Sequence, residues 1–422
     1  MARKKTAERK KKKKKSATRK TVAKKAPGKK APAKKAAAKK GVAKKGAAKK
    51  GAAGKTTAKK AATKKTAKGK AAARKARSRT TARTTPSERG VVPETFRALR
   101  IFDDDHGYRG EVVDQTIDEQ SEGDTVIRVA WSGINYKDAL AGTGKGKIVR
   151  QFPLNGGIDA AGTVVESQSD EFHEGEEVLI TGCGLSETRD GGYSEYLRVP
   201  SKWLVPLPKG LTLRDAMLLG TAGFTAALSL WRMEANGQTP DMGPVVVTGA
   251  SGGVGSIAID ILTRAGYEAH AISGKVERFD WLRKLGAQQC ISSQELYWGE
   301  KPLESAHWAG AIDNVGGDML AGLTRVIRPW GSIASCGMAG GVGVRTTVMP
   351  FIIRGIGLLG INSAGCPYSI RKELWSRLAS EWKPAHLDAI ENSETTLDNL
   401  SEYFETALRG GSVGRVLVRI GG

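Results

Sequence analysis

Residues 245 to 256 read Val-Val-Val-Thr-Gly-Ala-Ser-Gly-Gly-Val-Gly-Ser, and this stretch decides the fold. A β-branched run leads into glycines at 249, 252, 253 and 255, and an apolar segment follows at 257–262. This order is typical of a strand, a tight turn and a helix, in which glycine lets the backbone approach a pyrophosphate closely. The N–H groups at the start of the helix bind such an anion. The stretch therefore predicts a dinucleotide-binding unit.

The end of the next predicted strand indicates which dinucleotide binds. That strand runs into Ser273-Gly274-Lys275. An NAD-binding chain usually carries Asp or Glu here, which accepts hydrogen bonds from the ribose hydroxyls. A hydroxyl and an ammonium group, with Arg278 one turn further on, instead suit a 2′-phosphate. The sequence therefore predicts NADPH as the cofactor.

Charge divides the 422-residue chain into two parts. Residues 1–90 hold 37 Lys and Arg residues against two acidic residues, a net charge of +35, whereas the remainder carries −10. This remainder, about 330 residues, is long enough for two domains with a sizeable core. The four cysteines lie far apart without a C-x-x-C pair, so neither a disulfide framework nor a structural zinc lobe is indicated.

The basic tail, residues 1–90, is a repeat without a core. Lys-Lys pairs recur every five residues between positions 24 and 50, and the first aromatic residue of the chain is Phe96. Five residues advance a helix by about 500°, so the pairs spread over all its sides and form no amphipathic face. We expect the free tail to be disordered, because it lacks the apolar area that would offset chain entropy.

Two interpretations of the basic tail stay open. It resembles the lysine-rich tails of linker histones, and such a charge block predicts nonspecific binding of DNA, RNA or polyphosphate through counterion release. The alternative is a solubilising extension, or a start assigned too early for a protein that begins near Val91. With no run of 18 apolar residues and no apolar signal segment, we expect a cytoplasmic protein without a membrane span. Binding of DNA would associate it with the nucleoid.

The remainder of the chain changes its pattern near residue 213. Before it, short β-type runs between glycine-rich turns predict a compact β-barrel-like unit, with strands at 97–102, 125–130, 161–165, 177–180 and 193–199. After it, strands alternate with helices, which predicts a parallel, doubly wound sheet with strands at 244–248, 268–272, 309–314, 331–335 and 358–362. A last strand at 415–420 has no partner nearby, so it is expected to fold back onto the first unit. The predicted α/β protein has a barrel-like domain at 91–217, a dinucleotide-binding domain at 218–363 and a return to the first domain at 364–422.

Several motifs are shared with one known family. They are Ser132-Gly-Ile-Asn-Tyr-Lys-Asp-Ala-Leu140, Gly157-Ile-Asp159, Gly220-Thr-Ala-Gly-Phe-Thr-Ala226, Trp308-Ala-Gly-Ala-Ile-Asp-Asn-Val-Gly-Gly317 and Pro350-Phe-Ile-Ile-Arg354. In them the chain resembles the NADPH-dependent acryloyl-CoA reductases, a quinone-oxidoreductase-like branch of the zinc-free medium-chain dehydrogenase/reductases. The resemblance implies a GroES-like catalytic domain split by a Rossmann domain, a homodimer, and NADPH-dependent reduction of the C=C bond of acryloyl-CoA to propanoyl-CoA.

The resemblance also assigns site residues. The family's phosphate loop and 2′-phosphate site match Ser251, Gly252, Gly253 and Val254, and Ser273, Gly274 and Lys275, respectively. Tyr136 is implied to contact the cofactor, and Asn135 and Tyr136 are the candidate catalytic residues, since a phenol can donate a proton or polarise a thioester. The alternative is that both residues only pack a loop. Asp138 and Asp159 are predicted to be turn or structural carboxylates.

A metal is not expected in this chain. Zinc-dependent relatives carry Cys at the position of Asn135 and Gly-His-Glu at the position of Gly157-Ile-Asp159, and no histidine pairs with a cysteine at ligand spacing. These residue types support alcohol oxidation poorly, whereas hydride addition to an activated C=C bond needs only hydrogen-bond donors and a proton source.

The identity of the substrate stays open at this point. Relatives carry Trp at the position of Cys183, near the expected cleft, so the change bears on the size of the acyl group. Cys183 itself is predicted to be a packed small residue and not a nucleophile. A quinone oxidoreductase is the alternative within the same fold. An alternative of another class is a nucleoid-associated binding protein that keeps the reductase fold without its activity.

Overall fold

The computed structural model describes residues 91–421, so the predictions for the basic tail lie outside the described residues. The first elements are β1 (Phe96–Asp104), β2 (Gly107–Gln115), β3 (Thr125–Gly133), α1 (Tyr136–Thr143), β4 (Leu154–Asn155), β5 (Asp159–Ser167), β6 (Glu177–Thr181), β7 (Tyr196–Val199) and β8 (Val205–Pro206). Next come α2 (Leu213–Ala235), β9 (Val245–Thr248), α3 (Gly253–Arg264), β10 (Ala269–Ser273), α4 (Phe279–Lys284), β11 (Ala287–Ser292), β12 (Trp308–Asp313), α5 (Gly317–Val326), β13 (Ile327–Ser335), α6 (Met349–Ile353) and β14 (Gly357–Gly360). The last described elements are α7 (Tyr368–Leu378), α8 (Leu387–Ile390), β15 (Glu391–Thr395), α9 (Leu400–Leu408) and β16 (Arg415–Arg419).

A parallel sheet of six strands, in the order β11-β10-β9-β12-β13-β14, forms the second half of the chain. Its central strands are buried along their whole length, as expected for strands that are covered by helices on both faces. The five predicted sheet strands all overlap observed ones. The sixth, β11, was not predicted, because its sequence Ala-Gln-Gln-Cys-Ile-Ser has no apolar alternation.

A largely antiparallel sheet forms the barrel part, with the order β15-β16-β3-β5-β6-β8 and with β7 also beside β3. A smaller sheet, β2-β1-β4, adds the hairpin β1–β2, whose second strand is polar and was not predicted. The closing strand β16 pairs antiparallel with β3, so the end of the described chain returns to the barrel as expected. The predicted domain limits stay a prediction, and α2 crosses the one at 217/218.

Helix α2 links the two sheets and is bent in the middle. Gly220 leaves the helical region with φ 49° and ψ −153°. A Cβ at Gly220 would lie 2.6 Å from an oxygen of Asp159 and 2.8 Å from a nitrogen of Arg415, so glycine is required there. The bend therefore places two buried charges against the helix backbone. Among residues 91–421, the helices are too short or too polar to cross a membrane.

Candidate active site

The glycine turn between β9 and α3 is the predicted cofactor side of the site. Gly249 leaves β9 with a φ of 58°, which glycine adopts without strain. Gly252 caps α3 and leaves the first helical N–H groups without a side-chain acceptor. A Cβ at Gly255 would lie 2.5 Å from the carbonyl oxygen of Gly249, so the turn closes only around glycine. The predicted phosphate-loop residues lie in this turn or in the first turn of α3: Ser251, Gly252, Gly253 and Val254. These residues fit the phosphates of a dinucleotide.

The predicted 2′-phosphate site lies at the carboxyl end of β10, beside this turn. The hydroxyl of Ser273 lies 3.0 Å from the hydroxyl of Ser251 and accepts the backbone N–H of Lys275 at 3.1 Å, with Gly274 between them in the chain. The ammonium group of Lys275 donates to the carbonyl of Gly410 at 2.7 Å, and burial lowers its pKa. A cation and two hydroxyls at one point can hold a phosphate monoester.

Asn135 and Tyr136 begin helix α1 on the barrel side. Asn135 is the N-cap, and Asp138 accepts its backbone N–H at 2.8 Å in a capping box. The Nδ2 of Asn135 donates to Asp138 at 3.1 Å and to Asp159 at 2.8 Å, while its Oδ1 accepts from Arg415 at 3.0 Å. The amide is therefore fully engaged within the protein. Tyr136 is the first helical residue and its side chain is 48% exposed, so its phenol can meet a bound molecule.

Two buried carboxylates lie beside Asn135. Asp138 accepts the backbone N–H of Ile158 at 3.0 Å, and burial together with the nearby charge of Asp159 raises the pKa of Asp138 to about 7. Asp159 accepts the backbone N–H of Thr221 at 2.9 Å, one residue after the bend of α2. These contacts join α1, β5 and α2, which fits the prediction of structural carboxylates.

Arg415 is the site residue that sequence reasoning missed. It begins β16, is 3% exposed, and its guanidinium lies 3.9 Å from the carboxylate of Asp159. Its signal in the sequence is one basic residue at the start of an apolar strand, a position that is usually solvent-exposed. Its partner Asn135 lies 280 positions earlier, and no local pattern reports a contact over that separation.

Cys183 lies between the barrel and the segment that follows β14. Its N–H donates to the carbonyl of Ala364 at 3.2 Å, and its backbone takes a positive φ of 53°. Burial raises the pKa of the thiol, which keeps it protonated at neutral pH and disfavours nucleophilic attack. This environment fits a packed small residue.

The donor set at this site does not fit a zinc ion. Within residues 91–421, no group of three or more His, Cys, Asp or Glu side chains is placed to hold a metal ion. Position 135 carries an amide, and Asp159 is already held by Arg415 and Thr221.

Two family models match the chain over the elements described above. The alcohol dehydrogenase GroES-like domain matches residues 121–209, and the zinc-binding dehydrogenase model matches residues 253–380. The acrylyl-CoA reductase AcuI of Ruegeria pomeroyi is 42% identical over 77% of this chain and 99% of its own. The chain belongs to the medium-chain dehydrogenase/reductases. The predicted family is thus confirmed, although the zinc in the name of the second model has no matching donor set within residues 91–421.

Two further relatives of this medium-chain dehydrogenase/reductase bear on activity and cofactor. YhfP of Bacillus subtilis, which is named for a quinone oxidoreductase, is 49% identical over 70% of this chain and 90% of its own. Its crystal structure with NAD bound has a TM-score of 0.74 over 77% of this chain and 99% of that one. The yhdH oxidoreductase of Salmonella enterica, solved in complex with NADP, is 43% identical, with a TM-score of 0.74 over 77% of this chain and 100% of that one. The predicted fold class, a GroES-like barrel with a Rossmann-type domain, is confirmed.

Proposed function

We propose that this chain reduces the C=C bond of acryloyl-CoA, or of a related 2-enoyl-CoA, with NADPH as the hydride donor and propanoyl-CoA as the product. The observation that carries the proposal is that residues 414 and 415 bond to both predicted parts of the site. Arg415 bonds to Asn135 of the barrel, and Gly414 just before it donates its N–H to the carbonyl of Ser251 at 2.9 Å. The phosphate loop and the start of α1 are therefore bridged by two consecutive residues. The name of the AcuI relative supports the substrate class.

The residues of the chain serve this chemistry as follows. When bound, a reduced nicotinamide supplies a hydride to the β-carbon of the enoyl group. Negative charge then develops on the thioester oxygen and the α-carbon takes a proton, so one hydride and one proton saturate the double bond. We assign the stabilisation of this charge to Tyr136, whose phenol stands at the N-terminus of α1, where N–H groups favour negative charge. Asn135 orients the loop that carries it.

The test is a substrate screen with the purified full-length chain and with NADPH and NADH in parallel. We expect kcat/KM with acryloyl-CoA to exceed that with quinones by more than about tenfold, the effect of roughly 1.4 kcal/mol in transition-state binding. The opposite ranking overturns the proposal. Tyr136→Phe is expected to lower kcat by about a hundredfold, as loss of an oxyanion donor does. Tyr297→Phe, an exposed tyrosine in the loop before β12, is the matched control and keeps the wild-type rate.

A quinone oxidoreductase is the second candidate, and the 49% identity to YhfP favours it. It would use the same cofactor loop and the same Tyr136, but it would gain nothing from a CoA moiety. Faster NADPH oxidation with a quinone than with any enoyl-CoA would assign the chain to this activity. The alternative of an inactive, nucleoid-associated binding protein fails as soon as either substrate turns over.

For the basic tail we propose nonspecific binding of a polyanion: DNA, RNA or polyphosphate. Its support is the net charge of +35 on residues 1–90 beside −10 on the rest. The test compares the full chain with a chain that begins at Val91, on labelled duplex DNA at rising salt. Counterion release predicts binding by the full chain alone, with an affinity that falls steeply with salt. A full-length chain that binds no polyanion at low salt contradicts the proposal, and with it association with the nucleoid in the cytoplasm.

We also propose a homodimer that forms at β14, the outer edge of the parallel sheet. Leu358 of this strand is exposed, as are Ile352 of α6 and Trp330, which packs against Gly355 nearby. An unpaired strand edge beside apolar side chains favours pairing with a second copy. Sedimentation should give a dimer for the wild type and a monomer for Leu358→Lys. A monomeric wild type at micromolar concentration contradicts the proposal.

A further inference from the structure

We propose that Arg415 is a positioning residue that couples cofactor binding at the phosphate loop to the orientation of Asn135 and Tyr136. The proposal rests on the proposed function for the identity of the cofactor. It adds a residue outside both loops on which their alignment depends.

On the cofactor side, residues 410–415 contact both predicted phosphate sites. The carbonyl of Gly410 accepts the ammonium group of Lys275 at 2.7 Å, and the N–H of Gly414 donates to the carbonyl of Ser251 at 2.9 Å. A Cβ at Gly253 would lie 3.0 Å from Cδ of Arg415, so the arginine stem packs directly against the first turn of α3. A displacement of the phosphate loop is therefore transmitted to Arg415.

On the barrel side, Arg415 holds the start of α1. Its Nη1 donates to Oδ1 of Asn135 at 3.0 Å and to the carbonyl of Ile134 at 2.8 Å. This contact fixes the amide so that its Nδ2 faces the two carboxylates. Because Asn135 caps α1 and Tyr136 follows it directly, the position of the phenol depends on the guanidinium.

The bend of α2 keeps the guanidinium from turning. Nε of Arg415 donates to the carbonyl of Leu218 at 3.0 Å, and Nη2 approaches the carbonyl of Met217 at 3.4 Å and the carboxylate of Asp159 at 3.9 Å. A guanidinium presents its donors in a rigid planar fork, whereas a lysine presents one point charge. Lysine at this position can therefore hold some of these acceptors but not all of them at once.

The test uses Arg415→Lys in the full-length chain, with Arg100→Lys as the matched control. Arg100 is also a buried arginine, but it bonds to Gln115 and Asn155 within the barrel and not to the cofactor side. We expect Arg415→Lys to raise the Kd for NADPH about tenfold and to lower kcat about tenfold. The KM for acryloyl-CoA should change by less than about threefold. Arg100→Lys should leave the Kd for NADPH and kcat within about twofold of the wild type, whatever happens to its Tm. A folded Arg415→Lys chain with the wild-type Kd and kcat overturns the proposal.

A second measurement needs no variant and decides the matter if Arg415→Lys does not fold. Hydrogen exchange of the wild-type chain is followed with and without NADPH. We expect slower exchange in residues 410–417 and 133–140 as well as in the phosphate loop, and no change in the β1–β2 hairpin. Protection confined to the phosphate loop overturns the coupling. Absence of NADPH binding overturns both the cofactor and the coupling, whereas NADPH binding without turnover of acryloyl-CoA overturns the substrate alone.

Discussion

Arg415 contacts two parts of the predicted site, the β9–α3 turn and the start of α1, and these parts differ in the groups that form them. The β9–α3 turn consists of backbone groups: glycine conformations and helix N–H groups make up the predicted phosphate site within a few consecutive residues. The start of α1 is instead held by side chains. Asp138, Asp159 and Arg415 are all buried, and they come from three elements that are far apart in the sequence, α1, β5 and β16. An added Cβ at Gly255 therefore disrupts the β9–α3 turn, whereas the loss of one partner disrupts the Asn135 side, because each buried charge depends on the others.

Removal of one buried partner of Arg415 should have the largest effect on stability. Asp159→Ala leaves the guanidinium of Arg415 buried without its carboxylate, so we expect a loss of about 3–5 kcal/mol in the free energy of unfolding. Urea denaturation of the full chain measures it. Asp318→Ala is the control, since it breaks an exposed ion pair with Arg345, for which we expect less than about 1 kcal/mol. Equal losses of stability in the two variants would mean that Asp159 does not stabilise the buried guanidinium of Arg415.

Addition of one carbon atom to the β9–α3 turn should have the second largest effect. A Cβ at Gly255 would meet the Gly249 carbonyl at 2.5 Å and Cα of Ala250 at 2.7 Å, so Gly255→Ala must open the turn. We expect kcat/KM with NADPH to fall by about a hundredfold, as misplacement by roughly 1 Å does. Gly110→Ala is the control, because its Cβ would meet no atom closer than 3.4 Å. Unchanged affinity for NADPH in Gly255→Ala would place the cofactor elsewhere.

A smaller effect is expected for Lys275, the charged side chain beside the β9–α3 turn. Lys275→Met removes the cation beside Ser273, and a charge-assisted hydrogen bond contributes about 1.5–3 kcal/mol. The affinity for NADPH should therefore fall by about tenfold or more, while that for NADH stays the same. Fluorescence titration with both nucleotides measures the ratio, and Lys284→Met on the exposed side of α4 is the control. Equal losses for NADPH and NADH would remove Lys275 from the 2′-phosphate site.

The effect that is smallest per pH unit concerns the protonation of Asp138. Burial and the charge of Asp159 raise its pKa from 3.8 to about 7, so between these values the folded chain binds a proton that the unfolded chain has released. The stability contributed by this group is present at low pH and is lost as the pH rises, with a slope of at most about 1.4 kcal/mol per pH unit. We expect this part of the decline to be absent in Asp138→Asn, as measured by urea denaturation from pH 5 to pH 8. Parallel profiles for the two chains would contradict the raised pKa.

The same contrast explains what the sequence could predict. The strand, turn and helix at β9–α3 could be predicted because these three parts are consecutive in the sequence and each has its own local signal. Asn135 and Tyr136 are assigned to the site by resemblance and stay a prediction. The hydrogen bonds of the Asn135 amide could not be predicted, since two of its partners, Asp159 and Arg415, belong to β5 and β16. The bend at Gly220 has no signal in the sequence, because the apolar pattern of α2 runs through it without a break.

The pairing of β16 with β3 also bears on the order in which the molecule assembles. Ile134 and Arg415 are 281 positions apart, and the whole parallel sheet lies between them. Closure of so long a loop is slow unless the intervening chain has first become compact. We therefore expect the nucleotide-binding lobe to fold early and the reactive centre to be completed last. A newly synthesised chain would then complete the site around Asn135 only after the parallel sheet and the barrel have both folded.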